Sequence, residues 1–386
     1  MVVARYITCP RPNRSTSLIG WVVLVWSALV GPNVVAAQTW KVSAQPTVVI
    51  GADGDTTAQF TAIGGLGRLS TGEIAVFNTP PVGIWLFSPT GKFVRRVARP
   101  GGGPGELGDV WWFGRSGDSL MTFDFTQARI TIFDVPRSQV ATIPFAPSKV
   151  PGRLVVNGSL ANGSWIVGTV AFSRTHADGP ARDSTAVGIW RSGTDGMQPI
   201  GAFPNLAYFY KNSPTGLGLN LDALAAHTTF LTVGSELWVG VPEARSIAVY
   251  DATGKLARQV RVPVEPIRFD NAELRRLRDR RLAAAKRAAD SALISAMFDG
   301  SARPLGTRPA FSRLLLGRDG RVWIESFRVD RASSAEYVAL DQTGRVVGRL
   351  TSPPGVRFWD FGPNYALGVR KDENDVETVE LYSLVR

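Results

Sequence analysis

The chain has 386 residues, 44% of them hydrophobic and 19% charged, with a net charge of +11 and a mean hydropathy of +0.02. That composition excludes a disordered chain and leaves ample apolar surface for a large core. Its only cysteine is Cys9, so disulfide frameworks, cysteine–zinc sites and thiol chemistry are excluded from everything after residue 37.

Residues 1–37 read as an export signal. Arg5, Arg11 and Arg14 form a basic leader, Leu18–Val30 is an apolar run, and Val35-Ala36-Ala37 offers a small-residue cleavage site. Thirteen apolar residues are few for a bilayer span, so the segment reads as a cleaved leader and not as a stable membrane anchor. Its removal takes away three arginines and no carboxylate, which leaves residues 38–386 basic. The positive balance is read as solubility charge, and export argues against a nucleic-acid partner.

From residue 60 a strand–turn–strand phrase recurs. Ile84–Lys92 (IWLFSPTGK), Ile247–Lys255 (IAVYDATGK) and Tyr337–Arg345 (YVALDQTGR) each place an apolar alternation before a glycine turn, and Arg129–Asp134 is a degenerate copy. A hairpin repeated about every 40–60 residues suggests blades set around a ring. The first blade runs from Phe60 to Val97 and the second starts at Val110, with the Gly- and Pro-rich segment Arg99–Leu107 between them belonging to neither sheet. The third spans Leu154–Phe203, with a polar loop at Ser173–Ser184 and a second loop at Pro204–Asn220. The fourth occupies Thr228–Val262. Asp270–Phe298, rich in Ala, Leu and Arg, is one basic amphipathic helix capped by Asp270 or Asn271, within a helical insertion of about 265–308.

The fifth blade resumes at Phe311. Only three strands fit after Val356, so the stray strand Pro46–Ile50 completes the last sheet and closes the ring. The expected fold is therefore all-β: a six-bladed β-propeller over 38–386, with one inserted amphipathic helix and ring closure by N- and C-terminal strands.

Gly101–Leu107, Leu120–Asp124 with Arg129–Asp134, and Ser246–Lys255 resemble the loop and hairpin signatures of NHL-type six-bladed propellers. Leu367–Asp372 and Val379–Leu384 further resemble the endings of exported bacterial six-bladed propellers. The likeness covers most of residues 46–386, with Leu107 in place of the usual aromatic. It implies a fold and no particular activity, because propellers host binding, lyase and hydrolase functions alike.

Loops after each second strand share one face with the connections between blades, and that rim is the expected site. The candidate ligand-binding residues there are Asn78, Arg99, Glu106, Asp124, Tyr208 and Tyr210. Trp111 and Trp112 are adjacent in a strand, so one is expected to face each way, with wedge packing or carbohydrate stacking as their uses. No catalytic cluster is recognisable. The two histidines, His176 and His227, are too few for a zinc lyase and read as solvated loop residues. The expectation is a monomeric binding module, exported to the periplasm or beyond, engaging a protein or a small-molecule or carbohydrate ligand without a cofactor. The alternative is a calcium-dependent lactonase- or esterase-like hydrolase, drawing oxygen ligands from Asn78, Asp124, Asn157 and Asp222 at the channel mouth.

Overall fold

A computed structural model describes residues 38–51, 59–150, 152–170, 177–213, 216–299, 306–372 and 376–385. The export signal with Cys9, His176, and Gly300 beyond the helix lie outside the described residues.

Among the described residues, six mainly antiparallel sheets follow one another. The first comprises Ile63–Arg68, Ile74–Asn78, Gly83–Phe87 and Phe93–Pro100, and the second runs from Val110–Ser116 to Gln139–Pro144. The third runs from Arg153–Ser159 to Gly216–Leu221, and the fourth from Thr229–Val233 to Leu256–Arg261. Phe311–Leu316 opens the fifth and Val356–Phe361 opens the sixth. The first strands touch in a closed cycle, each against the next and the sixth back against the first, which gives the propeller-like ring.

Burial explains the ring. Alternating strands with apolar residues on both faces need a neighbour on each side. An apolar cluster accordingly sits between every successive pair of sheets. Large aromatics act as wedges: Trp190, Trp238 and Trp323 are almost wholly buried, and Trp323 stacks on Phe361 at 4.2 Å while touching Trp40 at 5.2 Å. Val48–Ile50 pairs with Glu377–Val385, Ile50 lying opposite Val379. Lys41–Val42 adds to the same strand, and Gln38–Thr39 runs parallel to Val346–Thr351 of the fifth sheet.

Four local expectations are corrected. Tyr208–Tyr210 are not in a loop: Gly179–Trp190 and Met197–Ser213 are strands of 12 and 17 residues that pair as far out as Gly179–Tyr210. Gly179–Ser184 and Pro204–Ser213, where loops were expected, lie on this ribbon, while residues 173–176 and 214–215 lie outside the described residues. Glu106–Leu107 joins the first sheet by pairing in parallel with Arg99–Pro100.

The single helix is two, α1 (Asn271–Ala284) and α2 (Ala288–Met297). No Gly or Pro divides them; Ala285 and Arg287 are extended, and Arg287 binds Asp290 in the first turn of α2. The two halves bury different apolar residues: Leu274 and Leu277 join Leu224 and Val329, whereas Leu293 and Met297 join Phe209. Asp270 caps α1 as expected, accepting from the amides of Ala272 and Glu273.

Trp111 and Trp112 do not face opposite ways. The register passes from Phe123–Trp112 to Asp124–Val110, so Trp111 is a bulge residue. Both rings turn toward the third sheet, Trp111 stacked on Phe125 and Trp112 edge-on to Trp165. A register shift also occurs near the start of the first and fifth inner strands and further along the third and sixth. A central cavity of about 550 Å3 is lined by all six inner strands, with Trp112, Asn157, Arg313 and Trp359 on its wall.

Candidate functional site: the arginine-lined channel mouth

The rim residues singled out from sequence are engaged by the fold. Asp124 is fully buried, and its two oxygens accept from the amides of Gly108 (2.6 Å) and Gln127 (2.9 Å). Asn78, also buried, donates to the carbonyls of Pro80 and Pro81 and accepts from the Ala62 amide. Glu106 accepts from the Gly103 amide and pairs with Arg99, and these contacts hold its carboxyl below the usual carboxylate range. Gln127 and Arg129 donate to the carbonyls of Gly101, Gly102, Gly103 and Glu106, so this loop turns acceptors and not an anion cradle toward its neighbours. Tyr208 and Tyr210 are buried on the ribbon, their rings 6.2 Å apart. Arg99, Glu106 and Asp124 thus share one turn cluster, Asn78 lies in another, and the two tyrosines are separate.

The same contacts bear on calcium. Each Asp124 oxygen already accepts a backbone amide, Asp222 accepts from the Leu224 amide, and no group of three or more His, Cys, Asp or Glu side chains converges among the described residues. Those residues do not fit an oxygen-ligand cage.

What the mouth does hold is arginine. A cavity of about 570 Å3 opens where inner strands begin and second strands end. Its centre is Glu325, at the end of the fifth sheet's second strand, with a side chain only 2% exposed. Three guanidiniums surround it: Arg313 at 2.6 Å, Arg357 at 3.2 Å and Arg328 at 3.4 Å. Each comes from an element the ring itself positions: Arg313 and Arg357 from the starts of the fifth and sixth inner strands, Arg328 from the loop after Glu325's strand. Burial alone would raise the Glu325 carboxyl; the arginines overcome it and hold the group at about 2. Arg357 is lowered to about 10 by burial and by Arg313, and stays charged at neutral pH.

The opposite wall is α1 and the segment entering the fourth sheet. Arg280 pairs with Asp330 at 2.9 Å, Arg281 projects beside Leu277, and His227 stands just before the fourth inner strand. His227 is solvent-accessible yet ringed by protein, as a side chain in a concavity is. Burial, with Arg357, Arg182 and Arg313, lowers its pKa against the opposing pull of Glu243, so the imidazole is neutral at pH 7. His227 is an exposed loop residue, as expected, and it stands at the edge of this concavity.

Sequence reasoning missed Glu325, Arg313, Arg357 and Arg281. The available signal was a charged residue inside an otherwise apolar strand, as in Val322-Trp-Ile-Glu-Ser326, because a strand buried on both faces carries a charge only beside a partner.

The arrangement carries a pH prediction. Glu325 has a folded-state pKa of about 2 against 4.5 when unfolded. Its stabilising contribution is therefore complete above pH 4.5 and lost as pH falls toward 2. Thermal unfolding followed between pH 6 and pH 2 should show this acid-side loss, and Glu325→Gln should flatten it.

No protein-family model matches the chain, and no curated protein matches it in sequence. Solved structures do resemble it. A member of the DUF4221 family from Bacteroides vulgatus matches with a TM-score of 0.54 at 10% identity, covering 90% of this chain and 99% of that one. A protein of Bacteroides fragilis described as exported matches at 0.46 and 10% identity, covering 91% and 96%. The calcium-binding protein regucalcin from Agrobacterium tumefaciens matches at 0.41 and 11%, covering 90% and 96%. At these identities the likeness speaks to fold alone, and below a TM-score of 0.5 it carries no argument. No helix among the described residues is long and apolar enough to cross a membrane.

Proposed function

We propose that this chain is an exported six-bladed β-propeller whose residues 1–37 are removed, and that residues 38–386 are a binding module taking a small-molecule ligand at the channel mouth. The observation that carries the reading is the recessed cavity of about 570 Å3 where the inner strands begin, roofed by α1. Its size is that of small-ligand pockets, and a concave, partly polar wall suits a ligand buried on most sides. A flat protein partner would not reach its floor. Charged side chains at the mouth are predominantly donors, which favours recognition over the carboxylate-based hydrolysis that was the alternative.

The test is a ligand-observed NMR screen of small molecules against the protein and against Ala225→Trp, which fills the mouth at a residue without side-chain hydrogen bonds. Compounds that bind the wild type and lose at least about tenfold in affinity in the variant support the reading. Binding unchanged in Ala225→Trp, or no binder at all, would sink it.

A further inference from the structure

Resting on that reading of the mouth, we infer that its ligand carries an oxyanion, a carboxylate or a phosphate, clamped among Arg357 and Arg331 of the ring and Arg281 of α1. Five arginines and three carboxylates line the cavity. Two of those carboxylates are already engaged by arginine, Glu325 by three guanidiniums and Asp330 by Arg280. The third, Asp222, accepts from the Leu224 amide and attracts Arg281 at longer range. Positive charge is thus left in surplus where water is partly excluded, and a buried charge without a matching partner is costly.

The donors left over are specific. Among the described residues, Arg281 and Arg331 make no side-chain hydrogen bond or ion pair, although Arg281 is half-buried. Burial and the nearby Arg331 both lower the pKa of Arg281. Arg357 donates to Glu325 through Nε alone, which leaves its two Nη groups without a protein acceptor. These are planar, multiply donating heads suited to bidentate oxyanion recognition.

The inner end of the same channel supplies a comparison. There Arg115 binds Asp360 at 2.9 Å and the Gly117 carbonyl, while Arg318 binds Asp118 and the carbonyl of Arg68. Arginine in this ring can find protein acceptors where its role is structural. At the mouth, three heads keep free donors.

The three come from separate elements: Arg281 from α1, Arg331 from the loop after the fifth sheet's second strand, and Arg357 from the sixth inner strand. An oxyanion bound among them ties the helix to the ring. Occupancy should therefore slow hydrogen exchange in α1.

The experiment is isothermal titration of the purified protein with inorganic phosphate, citrate, succinate and, as neutral control, glucose. At least one anion is expected to bind, and its identity separates a phosphate from a carboxylate ligand. Arg281→Gln and Arg331→Gln remove no side-chain hydrogen bond or ion pair among the described residues, so both should fold, and each should weaken the anion about 10- to 100-fold. Amides of α1 should gain exchange protection with the anion and not with glucose. Anion affinity unchanged in both variants, or no anion binding at about 10 mM, would overturn the inference. Glucose binding that Ala225→Trp abolishes, with the anions silent, would overturn it while leaving the mouth as the binding site.

Discussion

Glu325→Ala should destabilise the protein by about 3–5 kcal/mol, the usual cost of removing one partner from a buried ionic cluster. The residue is almost wholly buried, and Arg313, Arg328 and Arg357 would remain with no carboxylate between them. Part of the cost is direct repulsion, since Arg313 already lowers the pKa of Arg357. The measurement is a urea unfolding midpoint for the variant beside wild type. Glu325→Gln keeps shape and two hydrogen-bond acceptors or donors while deleting the charge. If Gln is tolerated as well as Glu, the cluster is held by shape and hydrogen bonding, and the electrostatic account fails.

Asp360→Ala should cost a similar amount, about 3–5 kcal/mol, for a different reason. Its carboxylate is buried at the junction of three sheets. It accepts from Arg115 of the second sheet (2.9 Å), the Arg68 amide of the first (2.8 Å), and Phe361 and Tyr365 of its own. Removing it takes the only ion-pair partner shown for Arg115 among the described residues and the acceptor of the Tyr365 hydroxyl in one step. The paired change Asp360→Leu with Arg115→Met removes both charges and should recover most of the loss, because an apolar pair of similar volume incurs no charge-burial cost. A double variant as unstable as Asp360→Ala would show that the hydrogen bonds to Arg68 and Tyr365 dominate instead. Urea unfolding of the wild type, Asp360→Leu, Arg115→Met and the double variant as a double-mutant cycle, beside Asp360→Ala, decides between them.

Much of the architecture was legible because hairpin alternation and glycine turns are local. Ser246–Tyr250 and Leu256–Arg261 could be placed from the phrase around Thr253-Gly254 alone, and Asp251 caps that turn as its type requires. Val48–Ile50 was placed by counting strands. The division at Ala285–Arg287 was not legible, because no residue there breaks a helix; what separates α1 from α2 is the two apolar clusters they reach. The face of Trp111 was hidden for a related reason. A bulge is a property of two strands in register, and neither strand announces it alone.

The site was the least legible part. Asn78 and Asp124 carry the residue types of a binding rim, yet each satisfies backbone groups of its own turn and of a neighbouring segment, a common use of Asn and Asp. Glu325 and Arg357 lie far apart in sequence and acquire meaning only when the fifth and sixth sheets meet.

The strap formed by residues 38–50 bears on how the molecule assembles. It pairs with Val346–Thr351 and with Glu377–Val385, so strands near one end of the described chain wait for partners more than 300 residues away. Contacts of such separation carry a large loop-closure cost and form late. The strands of residues 38–50 therefore have no partner until almost the whole chain is available, and their edges stay unpaired during that interval. The ring is thus fastened by non-covalent pairing of residues 38–50 across the fifth and sixth sheets.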